Sequence, residues 1–135
     1  MLLGFALAAP AVLAQDMKPA PQPSQAMVSL YHIAPGKHLA FLKWMAARDA
    51  IDAQLNLPRA HWYAHIDGDS WDYLMIGPHL TDAQQKRVND AAMAKGLTVG
   101  PKASIEIRQF IASHTDTLSA GPMTATELSA EMGNP

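Results

Sequence analysis

A chain of 135 residues is long enough for one domain, and 49% hydrophobic against 16% charged residues fits a packed core. The net charge is -2 with Lys and Arg scattered along the chain, which excludes the basic stripe of a nucleic-acid surface and a polybasic membrane patch. Cysteine is absent, so a disulfide framework, a thiolate metal site and a cysteine nucleophile are excluded as well.

Taken in order, the chain opens with an uncharged segment, Met1 to Ala14, that is almost wholly apolar from Leu2 to Leu13. Val12-Leu13-Ala14 before Gln15 reads as a small-residue cleavage site, so residues 1–14 resemble a secretory signal peptide without the usual Lys or Arg at its start. The run is too short to span a bilayer comfortably. It predicts export, to the periplasm or beyond. Pro19, Pro21 and Pro23 make residues 15–25 an extended tether, because each proline fixes φ and removes a donor.

The folded domain is expected over residues 26–113, with a tail over 114–135. Met27 to Ile33 alternates as a strand, with Val28, Leu30 and His32 on one face and Ser29, Tyr31 and Ile33 on the other. Pro35-Gly36 suits a tight turn. A long helix over 37–57 follows, with an apolar stripe of Leu39, Leu42, Met45 and Ala46 widened by Phe41, Trp44, Ile51 and Leu55. Arg48 and Asp52, four apart, are expected to pair on its surface. Pro58 disfavours helical geometry at Leu57 and stops it.

Ala60 to Ile66 and Trp71 to Ile76 flank Asp67-Gly68-Asp69-Ser70, which predicts a hairpin. Pairing Ile66 with Trp71 sets Trp62 opposite Met75, Ala64 opposite Tyr73 and His65 opposite Asp72. Large apolar groups then fall on both faces, so both should be covered. Thr81 and Gln84 form a capping box for a second helix that ends at Gly96. Ile105, Ile107 and Ile111 alternate with polar neighbours and read as a last strand, with Glu106 and Arg108 on one face of it. Thr124 and Glu127 are spaced as a second capping box, for a short helix in the tail.

The order strand, helix, strand, strand, helix, strand predicts an α+β fold, a ferredoxin-like βαββαβ sandwich. Both helices should cover one sheet face. The other face needs a partner, and a second copy of the chain is the simplest one. In Val28-Ser29-Leu30-Tyr31-His32-Ile33-Ala34-Pro35-Gly36 running into a long helix, then the hairpin, then Ile105-Glu106-Ile107-Arg108, the chain resembles the dimeric α/β-barrel superfamily. That superfamily includes small antibiotic-biosynthesis-type monooxygenases, stress-response barrel proteins and haem-degrading enzymes. The resemblance covers residues 26 to about 112 and implies a homodimeric barrel with a ligand cavity between sheet and helices. It implies no particular catalytic residue.

The candidate site residues follow from aromatic and histidine side chains interleaved on this sheet. His32, Trp44, Tyr63 and His65 are expected to wall a cavity under helix 37–57 that takes a small apolar or aromatic ligand. Tyr31, Tyr63 or Tyr73 could orient a phenolic ligand. His65 opposite Asp72 is a candidate general base if the chain is an enzyme of the cofactor-independent monooxygenase or isomerase type, and a cross-strand ion pair if it is not. His114-Thr115-Asp116-Thr117, placed after the last strand, is a further candidate.

No cofactor is required by any motif. Haem held by His32, His65 or His114 is one branch of the enzyme reading, and an envelope interaction module is a third alternative. His61 and His65 lie about 13 Å apart along a strand, too far to share a metal ion. Asp67 to Asp72 lacks the spaced ligands of a calcium loop. Phosphate loops, nucleophile elbows and dinucleotide fingerprints are absent from the sequence.

Overall fold

The computed structural model describes residues 24–133. The apolar run 1–14, and the tether 15–25 except for its last two residues, lie outside them. Strand β1 (Gln25–Ile33) leads through Pro35-Gly36 into helix α1 (His38–Gln54). Gly36 takes φ 74°, the left-handed value that glycine adopts without strain. At the other end Asn56 is left-handed at φ 55° and Leu57 N–H donates back to the Asp52 carbonyl, so the stop is a C-terminal cap as well as a proline effect.

Strands β2 (His61–Ala64) and β3 (Tyr73–Pro78) form the hairpin. Its register is the expected one, with Trp62 opposite Met75 and Ala64 opposite Tyr73. Helix α2 (Asp82–Ala94) starts on the Thr81–Gln84 capping box and gives way to Gly96 at φ 76°.

The last strand lies elsewhere than expected. Residues Pro101–Glu106 form a short helix α3, continued by a 3₁₀ turn over Ile107–Gln109. Strand β4 then runs Ile111–Ala120, past the domain boundary expected after residue 113. Glu106 and Arg108 are therefore not strand neighbours. Helix α4 (Ala125–Met132) follows on the Thr124–Glu127 capping box.

The sheet order is β2-β3-β1-β4, and every pairing is antiparallel. Each β–α–β connection thus skips one intervening strand, which is the ferredoxin-like arrangement. Side chains alternate across the sheet, so the register assigns the faces. Ser29, Tyr31 and Ile33 point to α1, together with Trp62, Tyr73 and Met75. The core is largely aromatic. Phe41 of α1, fully buried, lies 5.0 Å from Tyr31, 5.9 Å from Tyr73 and 6.1 Å from Trp62 between ring centroids.

The stripe on α1 is rotated from the expected one. Phe41 and Ile51 are buried, whereas Leu39 and Leu42 are 65% and 38% exposed. Arg48 does not pair with Asp52. It lies 3.3 Å over the Trp44 ring and donates to the Thr98 carbonyl and hydroxyl at 3.0 and 3.1 Å, with Glu106 at 3.9 Å. Burial lowers its pKa, against the opposing pull of Glu106. Thr98 also donates to Glu106, so this cluster ties α1 to the segment between α2 and α3.

The second sheet face carries Val28, Leu30, Leu74, Ile76 and Tyr63, and none of these is buried. No helix among the described residues is long and apolar enough to cross a membrane.

Candidate functional site

The sequence-predicted residues fall in different places. His32 and Tyr63 sit on the sheet face away from α1, because the strand alternation that puts Tyr31 and Trp62 inward puts them outward. They cannot wall a cavity under α1. Trp44 lies on the flank of α1, 6.1 Å from Phe110, beneath Arg48. The space between α1 and the sheet is occupied by Tyr31, Phe41, Trp62 and Tyr73.

The His65–Asp72 dyad does not form. The two residues pair through the backbone, His65 N–H donating to the Asp72 carbonyl at 3.0 Å. The Asp72 carboxylate instead accepts from Ile33 N–H at 2.6 Å and meets His38 Nε2 at 3.4 Å. The regular strands end at Ala64 and Tyr73, so strand alternation no longer directs these side chains. His65 packs edge-on against Trp71 at 5.1 Å, and its Nε2 has no partner among the described residues. His32, His65 and His114, the three candidate haem ligands, are thus dispersed over one sheet face, the hairpin end and β4. The described residues hold no cluster of three or more His, Asp or Glu able to bind a metal ion.

One polar constellation does assemble on the helix side of the sheet. The β1–β4 register sets Asp116 beside Ser29 and His114 beside Tyr31. Ser29, 2% exposed, donates to Asp116 Oδ1 at 2.7 Å. Asp116 Oδ2 lies 3.2 Å from His114 Nε2. A carboxylate at Nε2 favours the tautomer with its proton there, leaving Nδ1 as the free lone pair. The His114 ring stacks on Tyr31 at 6.1 Å and 17°, and Tyr31 stacks on Trp62 at 5.8 Å and 23°. A ladder of three rings therefore runs across the sheet on its α1 side, from Trp62 on β2 through Tyr31 on β1 to His114 on the opposite edge strand β4. Trp62 Nε1 donates to Asp49 of α1 at 3.2 Å and closes its inner end.

The electrostatics of the ladder follow from burial. Burial raises the Tyr31 phenol, the neighbouring Ser29 hydroxyl opposes this, and the Asp116 and Asp49 carboxylates raise it further. Tyr31 is thus a neutral hydrogen-bond donor across the physiological range. Burial likewise raises Asp49, against the Trp62 N–H. It raises Asp52 too, with Asp49 adding to the effect.

The outer end of the ladder is open. Residues 112–118 of β4 are exposed on both faces, while α2 packs on α1. His114-Thr115-Asp116 was legible as a candidate in the sequence, although as a loop. Ser29 was not singled out, and its signal was only its place inside an apolar strand face.

Comparison with protein-family models and with curated proteins gives no match. Among solved structures the chain is similar to a dimeric protein of unknown function and ferredoxin-like fold from Bacteroides fragilis NCTC 9343. The identity is 12% and the TM-score 0.41, over 72% of this chain and 95% of that one. The ferredoxin-like assignment rests on this chain's own strand order and connections.

Proposed function

We propose that the protein is an exported homodimer, joined through its open sheet faces into an α/β barrel, that binds a small aromatic molecule at the outer end of the Trp62–Tyr31–His114 ladder. The observation that carries the site is the relay Ser29–Asp116–His114 beside the buried Tyr31 phenol, on a strand that is exposed over residues 112–118. A flat ring stacking on His114 extends the ladder, and aromatic pairs of this kind contribute about 0.5–1.5 kcal/mol beyond area burial. The open apolar face supports the dimer, because such patches mark interaction surfaces. Export rests on the apolar segment 1–14.

A panel of phenols and other planar aromatics, screened by thermal shift, tests the site. Stabilisation by at least one compound, lost in His114→Ala and kept in His65→Ala, is the expected result. An unresponsive protein, or equal response in both variants, overturns it.

The same relay favours a second reading, an enzyme that abstracts a proton from an activated ring. His114 Nδ1 would be the base and Asp116 its orienting partner, with Tyr31 the donor to the developing oxyanion. Turnover that survives His114→Ala would remove this reading while leaving the binding reading intact.

A further inference from the structure

Strand β4 leaves one whole edge unused. It is the last strand of the sheet and pairs with β1, and among the described residues nothing pairs with its other side. It is ten residues long, and its register with β1 shifts only at its first residue, Ile111, opposite Ile33. Neither lysine nor proline, the residues that commonly blunt a free edge, occurs in it. Residues 112–118 are all exposed, so no described loop or helix shields it either. Just past the strand, Gly121 N–H donates to the Ser24 carbonyl at 2.7 Å. Backbone groups alternate between the two sides of a strand, so the odd-numbered residues of β4 address β1 and the even-numbered ones address the free edge. Ala112, His114, Asp116 and Leu118 thus each offer an N–H and a C=O to an incoming strand.

The order of side chains says which strand fits. An antiparallel second β4 must set even-numbered residues against even-numbered ones, because only these carry outward backbone groups. Centred on His114, it opposes two imidazoles. Centred on Asp116, it opposes two carboxylates, which repel. Centred on Thr115, it sets His114 opposite Asp116 twice, Ala112 opposite Leu118 twice, Ser113 opposite Thr117 twice and Thr115 opposite itself. Within 112–118 every pair is then carboxylate with imidazole, apolar with apolar or hydroxyl with hydroxyl, the combinations that favour cross-strand contact. Leu118, 51% exposed in the single chain, gains an apolar neighbour by it.

We infer that β4 is a self-pairing edge, where a second copy of this chain adds its own β4 antiparallel about Thr115 and joins two four-stranded sheets into one. The contact goes beyond the open-face dimer proposed above and uses other atoms, the backbone of an edge in place of the side chains of a face. Two polar strands meeting edge to edge bury well under the roughly 1,200 Å² of a stable interface, so this is the weaker contact and forms at high protein concentration. It brings the partner's Asp116 beside His114, so the ring ladder ends at the seam between the copies. Pairing consumes backbone groups only, and the helix-side face of β4 stays open above His114.

Cysteine is absent from the chain, so single introduced thiols report the register. Opposed residues that exchange no hydrogen bonds lie about 4.5 Å apart between Cα atoms, within disulfide reach, and Thr115 is such a position facing itself. Ser113 is four residues, about 13 Å, from the partner's Ser113. Thr115→Cys, oxidised at high protein concentration, should therefore form linked pairs at least tenfold faster than Ser113→Cys. A mixture of Ser113→Cys and Thr117→Cys chains should link at least tenfold faster than either alone. Adding Val28→Lys, which puts a charge on the open face and leaves the edge intact, should not change the Thr115→Cys rate. Equal rates for Thr115→Cys and Ser113→Cys, or no linked pair in any of these proteins, overturn the edge contact. Loss of the Thr115→Cys link on adding Val28→Lys also overturns it, because the copies then meet through the open face and that reading survives. A link kept in the Val28→Lys background upholds the edge whether or not the open face holds a dimer.

Discussion

Asp49 shows how a single polar residue can hold the core and weaken it at once. It accepts the indole N–H of Trp62, yet burial raises its carboxyl above the usual range. The folded state therefore binds this proton more tightly than the unfolded state does. Stability falls as pH rises from the ordinary carboxylate value of 3.8 through the raised folded value, and stays lowered at neutral pH. Asp49→Asn keeps an acceptor for Trp62 and removes the charge. It should stabilise the protein at pH 7, by less than about 1 kcal/mol because water screens a half-buried carboxylate. The gain should vanish below pH 3.8, which thermal melts of both proteins across pH would show. The site itself was half legible at this scale. His114 and Asp116 sit two apart, a spacing that shares a face on any strand, but Ser29 is 87 residues away from Asp116, and only the β1–β4 register brings Ser29 and Tyr31 beside them. His65 and Asp72 failed for the converse reason. Their register was right, but side-chain direction is fixed by pleating only inside a strand, and both lie just beyond the strand ends.

At the scale of elements, legibility followed the strength of local chemistry. Two capping boxes were read correctly because each is set by hydrogen bonds within a few residues, and the hairpin register was read correctly although its strands end at Ala64 and Tyr73, short of the expected Ile66–Trp71 pair. The segment from Ala103 to Phe110 was misread because its apolar residues satisfy two periods. Ile105 and Ile107 alternate, but Ala103, Ile107 and Phe110 also recur at i, i+4 and i+7. Pro101 at the first helical position, after Gly100 at φ 57°, decides for the helix. The true strand β4 hides behind polar side chains, since both of its faces are wet along residues 112–118. Two elements invite measurement. Phe41 is the side chain of α1 that the three sheet aromatics enclose, so Phe41→Ala should cost about 3–5 kcal/mol in denaturant unfolding. For α4 the lever is pH. The Thr124 backbone N–H and then its hydroxyl hold the Glu127 carboxyl below its ordinary value of 4.5. The cap is therefore at full strength above that value and is lost as pH falls through the lowered folded value. Backbone chemical shifts of residues 125–132 should report fraying on acidification, and Glu127→Gln should leave them independent of pH in that window.

For the whole molecule the governing fact is asymmetry between the two sheet faces. One is sealed by α1 around Phe41, and the other leaves Val28, Leu30, Leu74 and Ile76 half-buried and Tyr63 53% exposed. Both faces were legible as apolar in the hairpin sequence, and that is what predicted a covering partner. Val28 lies on β1, between β3 and β4, and is a suitable probe of the cover. In a monomer, Val28→Lys places its ammonium group in water and changes stability little. In a face-to-face dimer the twofold axis places two such lysines in one interface, each without a counter-charge among the open-face strand positions. Burying an unpaired charge costs several kcal/mol, and each 1.4 kcal/mol is about tenfold in affinity. Val28→Lys should therefore raise the dissociation constant by more than about a hundredfold, with a melting temperature at high dilution close to that of the unsubstituted chain. Analytical ultracentrifugation over a concentration series reads both species directly. A Val28→Lys protein that dimerises as tightly as its parent would mean that the open face is not where two copies meet.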